Sequence, residues 1–188
     1  MSNSTLYLTP PGTGFDECLR SFIETLRKEP FKTRLILPTS ALVRMVTDSI
    51  TDEIKAIPNN CIVTPESFAS EIVLEKKPGL NIASETGARQ MISGIIQGSA
   101  DPGVFGKREL SYRVTFDLHT LFRELNAYQD EDAFFSKADN EKIAGLEGIY
   151  REYEKTLAEK NLVDRSSVYT HAAGLLDDVS DQYIFVFG

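Results

Sequence analysis

Cysteine and histidine are scarce in this chain of 188 residues, two of each, and the scarcity removes whole classes of chemistry. A zinc site needs three or four ligands, and His119 and His171 have no such company in the sequence. Cys18 falls on the apolar face of a helix-patterned segment and Cys61 opens an apolar run. Both read as small buried hydrophobes, not as a redox or metal pair. No apolar stretch approaches the roughly 20 residues of a membrane span, and the polar start Met1-Ser2-Asn3-Ser4-Thr5 lacks the basic and apolar regions of a signal peptide. A cytoplasmic protein with no membrane partner is expected. Positive charge is short as well, with 20 Lys and Arg against 28 Asp and Glu, a net charge of −8. Free-standing nucleic-acid binders gain affinity by neutralising phosphates, so this chain alone should bind DNA weakly. An acidic domain can still line a nucleic-acid path where other domains or a partner subunit supply the positive charge. No internal repeat or low-complexity tract is present.

What the chain does have is enough apolar content, 41%, to bury a real core, at a length between one large domain and two small ones. Four short, apolar, mostly unalternating runs read as strands: Thr5–Leu8, Arg34–Leu37, Cys61–Thr64 and Tyr183–Phe187. Such runs suit a parallel sheet covered on both faces. Helix-patterned segments at Asp16–Lys28 and Ser40–Ala56 separate the first three, giving a βαβαβ order and a doubly wound α/β half-domain. From Pro65 to about Val179 the pattern turns helical, with no convincing strand and with candidate helices Ser67–Leu74, Ser84–Gln97, Phe116–Tyr128, Asn140–Lys160 and Ser166–Asp177. The expected organisation is an α/β core from residues 1–65 and 180–188, with a mainly helical insertion over 66–179. The last apolar run stops at Gly188, so the chain is expected to be a piece of a longer protein.

The strand–loop–helix from Leu6 through Thr9-Pro10-Pro11-Gly12-Thr13-Gly14-Phe15-Asp16-Glu17 has the shape of a phosphate-binding P-loop. A working loop of the form G-x-x-x-x-G-K-[ST] wraps phosphates in backbone N–H groups, reaches them with the lysine and holds Mg²⁺ with the hydroxyl. Here Thr9 stands at the first glycine and Gly14 at the second, but Phe15 stands at the lysine and Asp16 at the hydroxyl. A carboxylate beside a triphosphate adds repulsion of about 1 kcal/mol in water at about 4 Å. The loop reads either as a P-loop that no longer hydrolyses nucleotide, or as an ordinary βα turn whose Asp16 and Glu17 complement the helix dipole.

The order of parts decides between these readings. A P-loop without its charged contacts is followed by Leu37-Pro38-Thr39-Ser40-Ala41 after a strand, Thr64-Pro65-Glu66-Ser67-Phe68-Ala69 after the next, and a helical insertion. Leu162-Val163-Asp164-Arg165-Ser166 then precedes the closing strand Tyr183-Ile184-Phe185-Val186-Phe187-Gly188. From Leu6 to Gly188 this resembles the N-terminal half-domain of superfamily 1 helicases, and more closely the inactivated helicase-like region at the N-terminus of AddB-type helicase–nuclease subunits. The resemblance implies a P-loop NTPase-like fold with a degenerate nucleotide site at Gly12, Thr13, Gly14, Phe15 and Asp16. Phe187 takes the place of the metal-holding aspartate. It implies contacts to single-stranded DNA from Thr39, Ser40, Arg44, Thr64, Ser67 and Phe68. It further implies a DNA repair and recombination exonuclease subunit with its nuclease site far downstream, a helicase partner, and no catalytic residue, metal or cofactor in this segment.

Each residue also has a plainer reading. Thr39 and Ser40 can cap a helix, a contribution of about 1 kcal/mol; Phe68 can be a core aromatic continued by Ile72; and Arg44 can be solvated. Arg151-Glu152-Tyr153-Glu154-Lys155 reads as an exposed helix face with Ile149, Tyr153 and Leu157 inward, and Asp130-Glu131-Asp132 as a solvated turn, not a paired-carboxylate nuclease centre. Two other functions stay open: a nucleotide-binding enzyme with an atypical P-loop, and a protein-interaction scaffold without DNA contact.

Overall fold

The computed structural model describes residues 14–98, 111–128, 131–136, 141–176 and 182–187. The expected strand Thr5–Leu8 and the loop through Gly12 and Thr13 lie outside the described residues, as do Asp130 and Asp177. The chain divides into two compact units, residues 1–72 with 174–188, and Val73–Ala173.

The first unit is a parallel α/β layer. Its first helix, α1 (Phe15–Lys28), carries Phe22 and Leu26 as buried residues, with Phe15, Cys18, Leu19 and Ile23 packed on the same core. That is one helical stripe. Asp16 and Glu17 lie in the first turn and Arg27 and Lys28 in the last, a charge order that complements the helix dipole. Strands β1 (Thr33–Ile36) and β2 (Ile62–Val63) are parallel neighbours in register Leu35↔Ile62, joined through α2 (Ser40–Ile54). The last strand, β5 (Tyr183–Val186), pairs with the other side of β1 in the register Leu35↔Phe185, also parallel, so the order is β2-β1-β5. Leu35, Leu37, Val46, Ile50, Cys61 and Ile62 form the core between sheet and helices. β5 departs from the expectation of a strand covered on both faces, because it lies at an edge among the described strands and Tyr183, Ile184 and Val186 are exposed. Phe185 is its inward residue, meeting Phe22 of α1 edge to face at 5.8 Å. Helix α3 (Pro65–Lys76) follows β2, and the division between the units falls within it.

The second unit is mainly helical, built on α4 (Glu85–Gly98), α5 (Tyr112–Tyr128), α6 (Glu131–Ser136), α7 (Glu141–Glu159) and α8 (Val168–Ala173). Ile92 and Ile96 of α4, Phe122 of α5, Phe135 of α6 and Tyr150, Tyr153 and Leu157 of α7 share one core. Three sequence expectations need correction here. Two short strands, β3 (Asn81–Ile82) and β4 (Leu162–Val163), pair in parallel where none was expected, because strands of two residues, one of them the polar Asn81, carry no periodicity to read. Glu131 and Asp132 open α6 instead of forming a turn, since Phe135 anchors that short helix in the core. Finally, α8 begins at Val168, not Ser166, because a turn over 164–167 donates Ser167 N–H to Asp164 O at 3.0 Å. Among the described residues no helix is long and apolar enough to cross a membrane.

Candidate functional site

In open parallel sheets ligands sit outside the carboxyl ends of the strands, where backbone turns into helix and N–H groups point outward. In the first unit that edge is formed by the starts of α1, α2 and α3 and the end of β5. β1 and β2 run in register with Ile36 opposite Val63, so Thr39, three residues past the first strand end, and Thr64, one past the second, emerge along the same edge. Phe187 N–H donates to Ile36 O at 3.1 Å and fixes the residue after β5 at that level too.

Two aromatic rings meet at this edge. Phe15, the first residue of α1, meets Phe187 edge to face, with ring centroids 4.7 Å apart and planes at 61°. Residues 185 and 187 share one face of the strand and residues 15 and 22 one stripe of the helix, so the Phe22–Phe185 contact sets the register of the Phe15–Phe187 contact. Gly14 is buried as the N-cap of α1 and, lacking a side chain, caps nothing; its carbonyl accepts Cys18 N–H at 3.0 Å. Asp16 is exposed, and Gly12 and Thr13 lie outside the described residues.

The candidate hydroxyls divide into pairs. Thr39 Oγ1 accepts Leu42 N–H at 3.2 Å and caps α2, with exposed Ser40 following as the first helical residue and exposed Arg44 one turn on. Thr64 Oγ1 accepts Ser67 N–H at 3.2 Å and lies 3.0 Å from Ser67 Oγ, so these two hydroxyls meet at the start of α3. Phe68 is half-buried.

The most complete polar cluster lies elsewhere, inside the second unit. The Asp164 carboxylate, 1% exposed, accepts Tyr153 O–H at 2.5 Å and His119 Nε2–H at 3.2 Å on one oxygen, and Ser166 N–H at 2.9 Å and Oγ–H at 2.8 Å on the other. Burial works to raise its pKa, but the hydrogen bonds from His119, Tyr153 and Ser166 outweigh it and hold the carboxyl well below the usual range. Burial first, and then the Asp164 charge and hydrogen bond, push the Tyr153 phenol far above its ordinary value. With His119 and Tyr153 themselves buried, the cluster joins α5, α7 and the turn after β4 and offers no surface to a substrate. Sequence reading found Tyr153 as an inward residue; the Asp-x-Ser spacing is a local signal that could have found the turn at Asp164, but no local signal pointed to His119. Among the described residues no group of three His, Cys, Asp or Glu side chains is placed to hold a metal ion. His171 lies 3.5 Å from Lys77 Nζ, and burial first and then that ammonium lower its pKa.

No protein-family model matches the chain, and no curated protein sequence matches it.

Proposed function

We propose that the first unit is a P-loop NTPase-like half-domain whose nucleotide site is filled by aromatic side chains, and that it acts by contacting single-stranded DNA. The Phe15–Phe187 contact carries this reading. In a working site those positions hold the phosphate-reaching lysine and the metal-holding carboxylate; here an apolar pair at 4.7 Å leaves no charge to bind either. The parallel strands with helices starting at Phe15, Ser40 and Pro65 are consistent with that architecture. The residues proposed to face DNA are Thr39, Ser40, Arg44, Thr64, Ser67 and Phe68. The larger role is the one the resemblance implies. It is a cytoplasmic, non-catalytic, helicase-like segment of an AddB-like exonuclease subunit in DNA repair and recombination, working beside a helicase partner that supplies the positive charge this chain lacks.

A scaffold without DNA contact is favoured by one observation, the commitment of the Thr39 and Thr64 hydroxyls to helix capping. Fluorescence anisotropy of a labelled single-stranded oligonucleotide at low salt separates the two. Binding that weakens when Thr39, Ser40 and Thr64 are replaced by alanine, in variants whose fold is intact by circular dichroism, supports DNA contact. Binding unchanged by those substitutions refutes contact at this edge, and no binding by the wild type leaves the scaffold.

A further inference from the structure

The second unit presents an aromatic pair that its own core does not use. Tyr112 and Phe116, one turn apart at the start of α5, are 70% and 40% exposed, with rings nearly parallel at 19° and centroids 6.3 Å apart. The geometry is that of an offset stack. Arg89 of α4 orders it, with its guanidinium carbon 4.7 Å from the Tyr112 ring centroid, Nη1 donating to the Tyr112 hydroxyl and Nε donating to Glu85 O at 3.2 Å. Two anchored donors hold the guanidinium in place, and the guanidinium in turn fixes the tyrosine rotamer. A pre-positioned ring loses less freedom when a ligand binds than a mobile one does.

We propose that Tyr112 and Phe116, held by Arg89, form a stacking platform for the bases of single-stranded nucleic acid. Every base has a π-face, and exposed aromatics with an arginine alongside are the elements that single-strand binders combine. The size of the patch argues for a base and against a protein partner. A stable protein contact buries about 800 Å² per partner around an apolar centre, whereas these two rings are bordered by Arg113, 89% exposed, and Asp117, 65% exposed, which face each other at 3.8 Å. Local charge is balanced, Arg89 and Arg113 against Glu85 and Asp117, so stacking rather than phosphate neutralisation supplies the affinity. The platform stands on its own geometry and does not depend on the edge of the first unit binding DNA.

The test uses the whole chain with fluorescein-labelled oligothymidylate and oligouridylate at low salt, the DNA and RNA arms saying which strand is preferred, and a duplex as control. Tyr112→Leu and Phe116→Leu are each expected to weaken single-strand binding about tenfold, while Tyr112→Phe, which keeps the ring, retains it. An oligonucleotide carrying 5-iodouracil should photocrosslink to Tyr112 or Phe116. Affinity unchanged in both leucine variants, crosslinks confined to the first unit, or no single-strand binding by the wild type overturns the proposal. Loss of binding in the Thr39, Ser40 and Thr64 alanine variants with the leucine variants unaffected would sink this platform alone, and the reverse pattern would sink the edge site alone. Self-association that disappears in Tyr112→Leu, without single-strand binding, would reassign the rings to a protein contact.

Discussion

Replacing Asp164 by alanine removes the acceptor of four hydrogen bonds from a position that is 1% exposed. Hydrogen bonds to an ionised group contribute about 1.5–3 kcal/mol each, and a buried donor left without an acceptor costs about 1–3 kcal/mol. Two such donors remain, the Tyr153 hydroxyl and His119 Nε2–H, both buried. Relief from holding a desolvated carboxylate offsets several kcal/mol of that loss, and a net destabilisation of about 3–5 kcal/mol is expected. Tyr153→Phe alone removes one donor and should cost about 1.5–3 kcal/mol. In the Asp164→Ala background the same change deletes an orphaned hydroxyl and should be neutral or stabilising. The chain has no tryptophan, so the double-mutant cycle is read by urea unfolding followed by circular dichroism, with hydrogen exchange of α5 and α7 amides reporting the second unit directly. The pH dependence has a definite sign. Asp164 has a folded-state pKa below its unfolded value, so its contribution is fully present above about pH 4 and is lost as pH falls further, towards the folded value. The wild type's margin over Asp164→Ala should therefore be flat near neutrality and shrink on that acid limb. Additive losses in the cycle, or a margin indifferent to acid, would refute the reasoning.

Other perturbations scale with burial. Leu35→Ala, at a fully buried position of the central strand, should cost about 2–5 kcal/mol, against about 1 kcal/mol for Thr39→Ala or Thr64→Ala, which remove helix caps; equal losses in urea titrations would contradict the capping roles. Gly79 has φ of 96°, so Gly79→Ala should destabilise by about 1 kcal/mol although nothing crowds the added methyl; a more stable variant would contradict it. Burial raises both thiols, with Arg34 opposing at Cys61, so Cys18 and Cys61 should react slowly with a thiol reagent at neutral pH and fast once unfolded. Fast labelling of the folded chain would contradict their packing.

What could be read from the sequence was what depends on neighbours a few residues apart. The stripe Cys18, Leu19, Phe22, Ile23, Leu26 placed α1, and Pro38-Thr39-Ser40 after an apolar run placed the start of α2. Apolarity of Tyr183–Phe187 marked β5 but not its exposure, because which strand stands at an edge is a property of the sheet. β3 and β4 were invisible because each contributes two residues and their partners lie far apart in the chain. At the candidate site, the apolar residues Phe15 and Phe187 could be read singly; that the two rings meet could not, since nothing local records a contact between residues so far apart in the chain. The Asp164 cluster divides in the same way, local for Ser166 and hidden for His119, 45 positions away.

The proposal that the first unit keeps no working nucleotide site is tested most directly by calorimetric titration of the chain with MgATP. With Phe15 packed against Phe187 and Asp16 exposed in the first turn of α1, that proposal expects no saturable heat at any accessible concentration. Saturable binding in the micromolar range would contradict a site closed by aromatic rings and would make the chain a nucleotide-dependent protein with an atypical loop.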